Sequence, residues 1–218
     1  MGSIKKELLS GVFYTAIAKY SGILISLIIT GVLARLISPD KFGIVAVVTV
    51  ITFFFSIFSD LGIGAAIIQN KELQQKDLNQ LFSFTVWSGC ILTLLFFLCS
   101  WPISFFYKEP SMKTITQLLA INLFFASANI VPNALLYKAK AFKFLAWRSL
   151  GVQVSGGIIA ILAALGGAGL YALIINPILS SILLFIISYQ KYPQTLEMTW
   201  GIPSIRKIFK FSAYQFMF

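Results

Sequence analysis

Six stretches of this chain stay apolar for as long as a membrane crossing requires. A hydrocarbon core of ~30 Å takes about 20 residues of helix. The stretches run over roughly 11–34, 42–68, 79–106, 114–136, 145–166 and 169–189, and a seventh begins near Phe209 and meets the last residue, Phe218. Lipid offers no hydrogen bonds to a backbone, so such spans must be helices that satisfy their own peptide groups. The expected fold class is therefore all-α, a polytopic transmembrane helix bundle with six complete spans plus the start of a seventh. The expected organisation is a six-helix lobe over residues 1–190, a connection over 191–208 and a helix start over 209–218.

Composition agrees and excludes several functions. Hydrophobic residues make up 58% of the chain and charged residues 11%, with no histidine, where a water-facing domain carries roughly 25% charged residues. The net charge of +10 does not point to nucleic acid, because the basic residues lie between apolar runs and not along one polar face. Without histidine the commonest general base and zinc ligand are missing. No phosphate loop, nucleophile elbow, paired carboxylates or metal cluster is present in the sequence. The chain is thus expected not to be an enzyme, a membrane-embedded transferase included, and to need no cofactor or metal. Cys90 and Cys99, nine residues apart in one span, fall on opposite helix faces and cannot pair; they are expected to be buried apolar residues.

Basic residues orient the bundle. Lys5, Lys6, Lys71, Lys76, Lys138, Lys140, Lys143, Arg148, Lys191, Arg206, Lys207 and Lys210 fall on one side, and Arg35, Lys41, Lys108 and Lys113 on the other. Twelve against four predicts a cytoplasmic N-terminus and a cytoplasmic connection after the sixth span. Ser38-Pro39-Asp40 reads as a helix start, and Tyr107-Lys108-Glu109-Pro110-Ser111 and Gly166-Gly167-Ala168-Gly169 as turns.

Polar residues inside the spans are the candidates for function. Thr15, Lys19, Gly22, Ser26 and Thr30 share one stripe of the first span; Thr49, Thr52, Ser56 and Asp60 share one in the second; Asn122, Asn129 and Asn133 share one in the fourth. Each stripe should face the bundle interior or water. For the hydroxyls, interhelical hydrogen bonding is sufficient reason. Charges are different, since each costs ~2.5–3.5 kcal/mol in a span and marks function. Lys19 and Asp60 each lie about 12 Å from the same membrane face, on consecutive antiparallel spans, so they are expected to pair, either as a structural ion pair or with Lys19 held toward substrate. Val131-Pro132-Asn133 and Asn176-Pro177 are candidate helix interruptions. Gly156, Ala160 and Ala164, at intervals of four, read as a close-packing face.

Two segments carry a family resemblance. Leu33-Ala34-Arg35-Leu36-Ile37-Ser38-Pro39-Asp40-Lys41-Phe42-Gly43, followed by Ser59-Asp60-Leu61-Gly62-Ile63-Gly64-Ala65-Ala66-Ile67-Ile68-Gln69, closely resembles the polysaccharide flippases. These are the O-antigen and exopolysaccharide translocases of the multidrug/oligosaccharidyl-lipid/polysaccharide exporter superfamily. Val131-Pro132-Asn133-Ala134-Leu135-Leu136, the basic segment ending at Phe142-Lys143, and Gly166-Gly167-Ala168-Gly169-Leu170-Tyr171-Ala172-Leu173 add to it. The likeness is to the N-terminal half of such proteins.

The resemblance implies one lobe of a two-lobed transporter in the bacterial inner membrane. It would alternate access to a central cavity and flip a polyprenyl-diphosphate-linked oligosaccharide for lipopolysaccharide or other surface polysaccharide biosynthesis. Lys19, Arg35, Asp60, Asn122, Asn129 and Asn133 are then the expected cavity residues, the cations suiting a diphosphate. The expected partners are the lipid-linked oligosaccharide and membrane lipid, with a second lobe or second copy to complete the cavity, and no nucleic acid. The alternatives are a drug or metabolite exporter on the same fold, or an inactive membrane fragment lacking the second lobe.

Overall fold

The computed structural model describes residues 2–197 apart from positions 61 and 71. Every long regular element among them is an α-helix: α1 (Gly2–Leu36), α2 (Pro39–Asp60), α3 (Ile63–Gln69), α4 (Gln75–Tyr107), α5 (Pro110–Ala128), α6 (Ile130–Lys138), α7 (Phe142–Leu165) and α8 (Ala172–Lys191). Five of them are long and apolar enough to cross a membrane, and α5 with α6, bent by 40° at Asn129, makes a sixth crossing. The fold is the all-α transmembrane bundle that hydropathy implies.

Local chemistry sets the joints. Pro39 is the first residue of α2, with Asp40 in its first turn. Gln74 and Asp77 form a reciprocal capping box at the start of α4. Glu109 caps α5, its carboxylate accepting from the Ser111 N–H, ahead of Pro110. The α7–α8 reversal uses Gly167 (φ +87°) and Gly169 (φ +53°), left-handed conformations that are unfavourable for a residue with a side chain. Pro132 explains the α5–α6 bend, because it lacks the N–H that would reach the Ala128 carbonyl and its ring crowds that turn. Pro177 leaves α8 unbroken.

The second span departs from expectation. It is not one helix over 42–68 but α2 and α3, parted at Gly62 with φ +77°. Asp60 Oδ1 accepts the Gly64 N–H at 3.2 Å and so caps the short helix that follows. The two broken spans are neighbours, with α3 packed on α6 and α2 on α5. Their breaks adjoin: Ser127 Oγ donates to Ser59 Oγ at 3.0 Å.

Three apolar clusters hold the bundle. One joins α3, α6 and the start of α4 through Ile67, Leu81, Phe82 and Val131. A second joins α2, α4 and α5 through Val48, Phe96, Ile115 and Leu123. The third joins α1, α7 and α8 through Ile29, Leu33, Ala160 and Ala172. Small residues allow the closest approaches. A Cβ on Gly157 would lie 2.0 Å from Ile29 Cδ1 of α1, and one on Gly156 would lie 2.4 Å from Asn176 Oδ1 of α8, so α7 is the helix that both neighbours press against. After α8 the chain turns back along α4, where buried Gln194 accepts from Gln75 Nε2 at 3.0 Å and the Glu197 N–H donates to Ser83 Oγ at 2.7 Å. The expected seventh helix, 209–218, and the remainder of the connection lie outside the described residues. Cys90 and Cys99 are both free; Cys90 is exposed on α4 and not buried as expected, because its face of the helix lacks a neighbour in this lobe.

Candidate functional site

A groove of about 500 Å³ runs between α1 and α7. From α1 it takes Thr15, Lys19, Gly22 and Ser26, from α6 Tyr137, and from α7 Phe142, Ser149 and Gln153. These α1 residues recur at steps of four, three and four, so a helix gathers them on one side. Gln153 Nε2 crosses the groove to donate to the Gly22 carbonyl at 2.9 Å. Gly22 permits this, since a Cβ there would stand 3.0 Å from Gln153 Oε1. Thr15 Oγ1 turns back to its own helix, donating to the Gly11 carbonyl at 2.8 Å. Lys19 is exposed and, among the described residues, its ammonium has no ion-pair partner. The groove wall is mostly apolar, with Ala18, Ile23, Leu145 and Ala146 between the polar side chains, so the Lys19 ammonium is the charged group of an otherwise apolar and hydroxyl-bearing surface.

The expected Lys19–Asp60 pair is not formed. The first two spans do not pack along each other: α1 packs along α7, whereas α2 packs along α5 and α4. Asp60 instead commits its carboxylate to the N-terminus of α3. Equal depth puts the two residues at one level but says nothing of direction around the bundle.

The other candidate residues fall in separate places. Arg35 is exposed in the last turn of α1, sixteen residues or ~24 Å along the helix from Lys19, so the two cations do not share one groove. Asn122 is partly buried in α5. Asn129 stands at the bend, its N–H donating to the Phe125 carbonyl at 3.0 Å, while its buried Oδ1 has no hydrogen-bond partner among the described residues. Asn133 Oδ1 accepts from Arg148 Nη2 at 2.9 Å.

Arg148 is the residue that sequence reading misplaces. It counts among the basic residues of a connection, yet it lies six residues into α7 and points inward, its other amino group donating to Ser188 of α8. Its Nε is buried without a partner among the described residues. One guanidinium thus ties α6, α7 and α8 together. The available signal was an arginine just inside the fifth apolar run, one helix away from Asn133. Gln153, a lone amide in the middle of that run, was equally visible.

Known proteins resemble this sequence. The family described as "Polysaccharide biosynthesis protein" matches residues 32–218. The lipopolysaccharide biosynthesis protein WzxC of Escherichia coli is 27% identical over 72% of this chain and 31% of its own length. The teichuronic acid biosynthesis protein TuaB of Bacillus subtilis is 26% identical over 56% of the chain and 25% of its own length. The succinoglycan biosynthesis transport protein ExoT of Rhizobium meliloti is 22% identical over 69% of the chain and 31% of its own length. The aligned part of the chain therefore spans less than a third of each relative. No solved structure gives a significant match.

Proposed function

We propose, on the premise that this chain belongs to the polysaccharide biosynthesis protein family, that it forms one wall of a pathway that flips a polyprenyl-diphosphate-linked oligosaccharide across the bacterial inner membrane. The observation that carries this reading is the Lys19 ammonium in the α1–α7 groove, without an ion-pair partner among the described residues and beside the Thr15, Ser26, Ser149 and Gln153 side chains. A diphosphate moving through a membrane needs a cation that is not already neutralised, and hydroxyl and amide groups beside it suit the sugar that follows. The roles that name the relatives, lipopolysaccharide and teichuronic acid biosynthesis and succinoglycan transport, support cargo of this class.

Direction follows from charge. The N-terminus of α1, the α6–α7 turn and the end of α8 share one end of the bundle, which is rich in lysine; we assign it to the cytoplasm. The cargo would then leave the cytoplasmic leaflet and arrive in the outer one. One lobe gives one cavity wall, and alternating access requires two bodies moving against each other. The reading therefore includes a second lobe or a second copy of this chain.

Binding tests the reading without requiring transport. Purified chain in lipid nanodiscs, titrated with a fluorescent polyprenyl diphosphate sugar, is expected to bind it. Lys19→Gln should weaken binding about tenfold or more, as loss of a charge-assisted contact does, and Lys19→Arg should retain most of it. Equal binding by Lys19→Gln would remove the groove from the pathway. Flipping in vesicles should appear only when a second lobe is supplied or the chain self-associates.

A further inference from the structure

We infer that the α6–α7 turn is a binding site for the headgroup of an anionic phospholipid, separate from the Lys19 groove. A second recess, open to the surface and of about 490 Å³, is lined there by Lys140, Ala141, Phe142, Lys143, Phe144 and Trp147. It brings two lysines and three aromatic rings together with no acid among them. Neither the Lys140 nor the Lys143 ammonium has a hydrogen-bond or ion-pair partner among the described residues. The neighbouring lysines are engaged: Lys138 Nζ donates to the Asn70 carbonyl at 2.7 Å, and Lys191 Nζ lies 5.5 Å from the centre of the Phe144 ring. Lys191 thereby adds a third positive charge behind one wall of the recess.

The turn is built to aim these groups. Lys140 adopts φ +54° at the position after α6 where glycine is usual. The Lys140 N–H donates to the Tyr137 carbonyl at 2.9 Å and the Ala141 N–H to the Leu136 carbonyl at 3.1 Å, closing the helix end. A lysine in a conformation that favours glycine gives up stability to place an ammonium there.

The occupant follows from the pairing of charge with apolar surface. Free phosphate would use the lysines and leave the rings idle. Trp147 is 67% exposed early in a membrane-spanning helix, where indole rings lie against glycerol and upper acyl chain, and lysines at that depth reach the phosphate level. A glycerophospholipid with net negative charge meets both demands at once. Phe142 lines both recess and groove and its ring packs on Gly11 of α1, so it divides this site from the groove.

Brominated lipids test the assignment on the whole chain. Trp87, Trp101 and Trp200 are replaced by Phe, leaving Trp147 as the reporter in vesicles. Brominated phosphatidylglycerol is expected to quench it more strongly than brominated phosphatidylcholine, with an apparent preference of about fivefold for each lysine engaged. Lys140→Gly with Lys143→Gln should abolish the preference while leaving quenching by phosphatidylcholine and helicity unchanged, because glycine relieves the backbone at 140. Lys76→Gln, at the same end of the bundle, should leave the preference intact. An equal fall in Lys76→Gln would mean diffuse surface attraction and overturn the site. Loss of the preference in excess soluble pyrophosphate, at matched ionic strength, would assign the lysines to a free anion and overturn the lipid. Absence of any preference in the parent protein, as a site reserved for the cargo diphosphate would give, also overturns it. None of these outcomes bears on Lys19.

Discussion

Arg148 of α7 donates to Asn133 of α6 at 2.9 Å, spanning a membrane crossing that has already bent at Asn129. The guanidinium is held by this amide and by Ser188, and removing either acceptor leaves buried charge short of a partner. Asn133→Leu is expected to destabilise the lobe by about 1.5–3 kcal/mol, the range for hydrogen bonds to charged groups. Adding Arg148→Met should recover part of that loss, because replacing both members removes the orphaned charge. Denaturation of the detergent-solubilised protein, followed by helicity, would measure both. Losses that simply add would contradict the contact.

Asp60 and Gly62 form the joint between α2 and α3. Gly62→Ala puts a Cβ into a left-handed conformation and should cost about 1–2 kcal/mol. Asp60→Ala removes a helix cap and should cost about 0.5–2 kcal/mol. Because Lys19 lies on another helix pair, Lys19→Gln and Asp60→Asn should be additive within about 0.5 kcal/mol. A coupling well above that in the same unfolding assay would restore the ion pair that the structure lacks.

Gly157 sets the distance between α1 and α7. Gly157→Leu meets Ile29 at once and is expected to cost about 1–3 kcal/mol by overpacking. Ile29→Ala in the same chain should return part of it. Around Gly151, less than two turns earlier, the space that an alanine methyl would enter is empty to 4 Å, so Gly151→Ala should be neutral or stabilising by up to about 1 kcal/mol. Thermal midpoints of the three variants decide the matter.

Single cysteines report topology. In a Cys90→Ala, Cys99→Ala background, Lys108→Cys is expected to react with an impermeant maleimide added to intact cells. Lys140→Cys should react only after the membrane is opened. Labelling of the Lys140 position from outside would reverse the bundle and the direction of transport assigned to it.

Span number and the small-residue face of α7 were legible because lipid imposes a length and helices impose a period. Gly156 and Ala160 fall on the contact side as spacing requires, and Thr15, Lys19, Gly22 and Ser26 share a groove for the same reason. Neighbour relations were not legible. Hydropathy orders spans along the chain, and nothing in it says that α1 lies on the fifth crossing and not on the second. Gly62 and Gly64 mark the place where the second span can break, and the structure breaks it there, but glycines in an apolar run do not by themselves fix a left-handed turn. Arg148 escapes charge counting because an arginine near a span end is assigned to the nearest connection, whereas its partners come from two other helices.

The adjoining breaks at Ser59 and Ser127 give the lobe two storeys. Helices α4, α7 and α8 run through both as uprights, while α3 and α6 form a short lower tier whose apolar core is shared with the start of α4. To kink an intact helix is to sacrifice backbone hydrogen bonds, each worth about 0.5–1.5 kcal/mol net. At this level the sacrifice has been made already, by Gly62 in one span and Pro132 in the other. Tilting the lower tier against the upper would therefore break no further backbone hydrogen bond within these two crossings, and the Ser127–Ser59 hydroxyl contact lies at the level where they part.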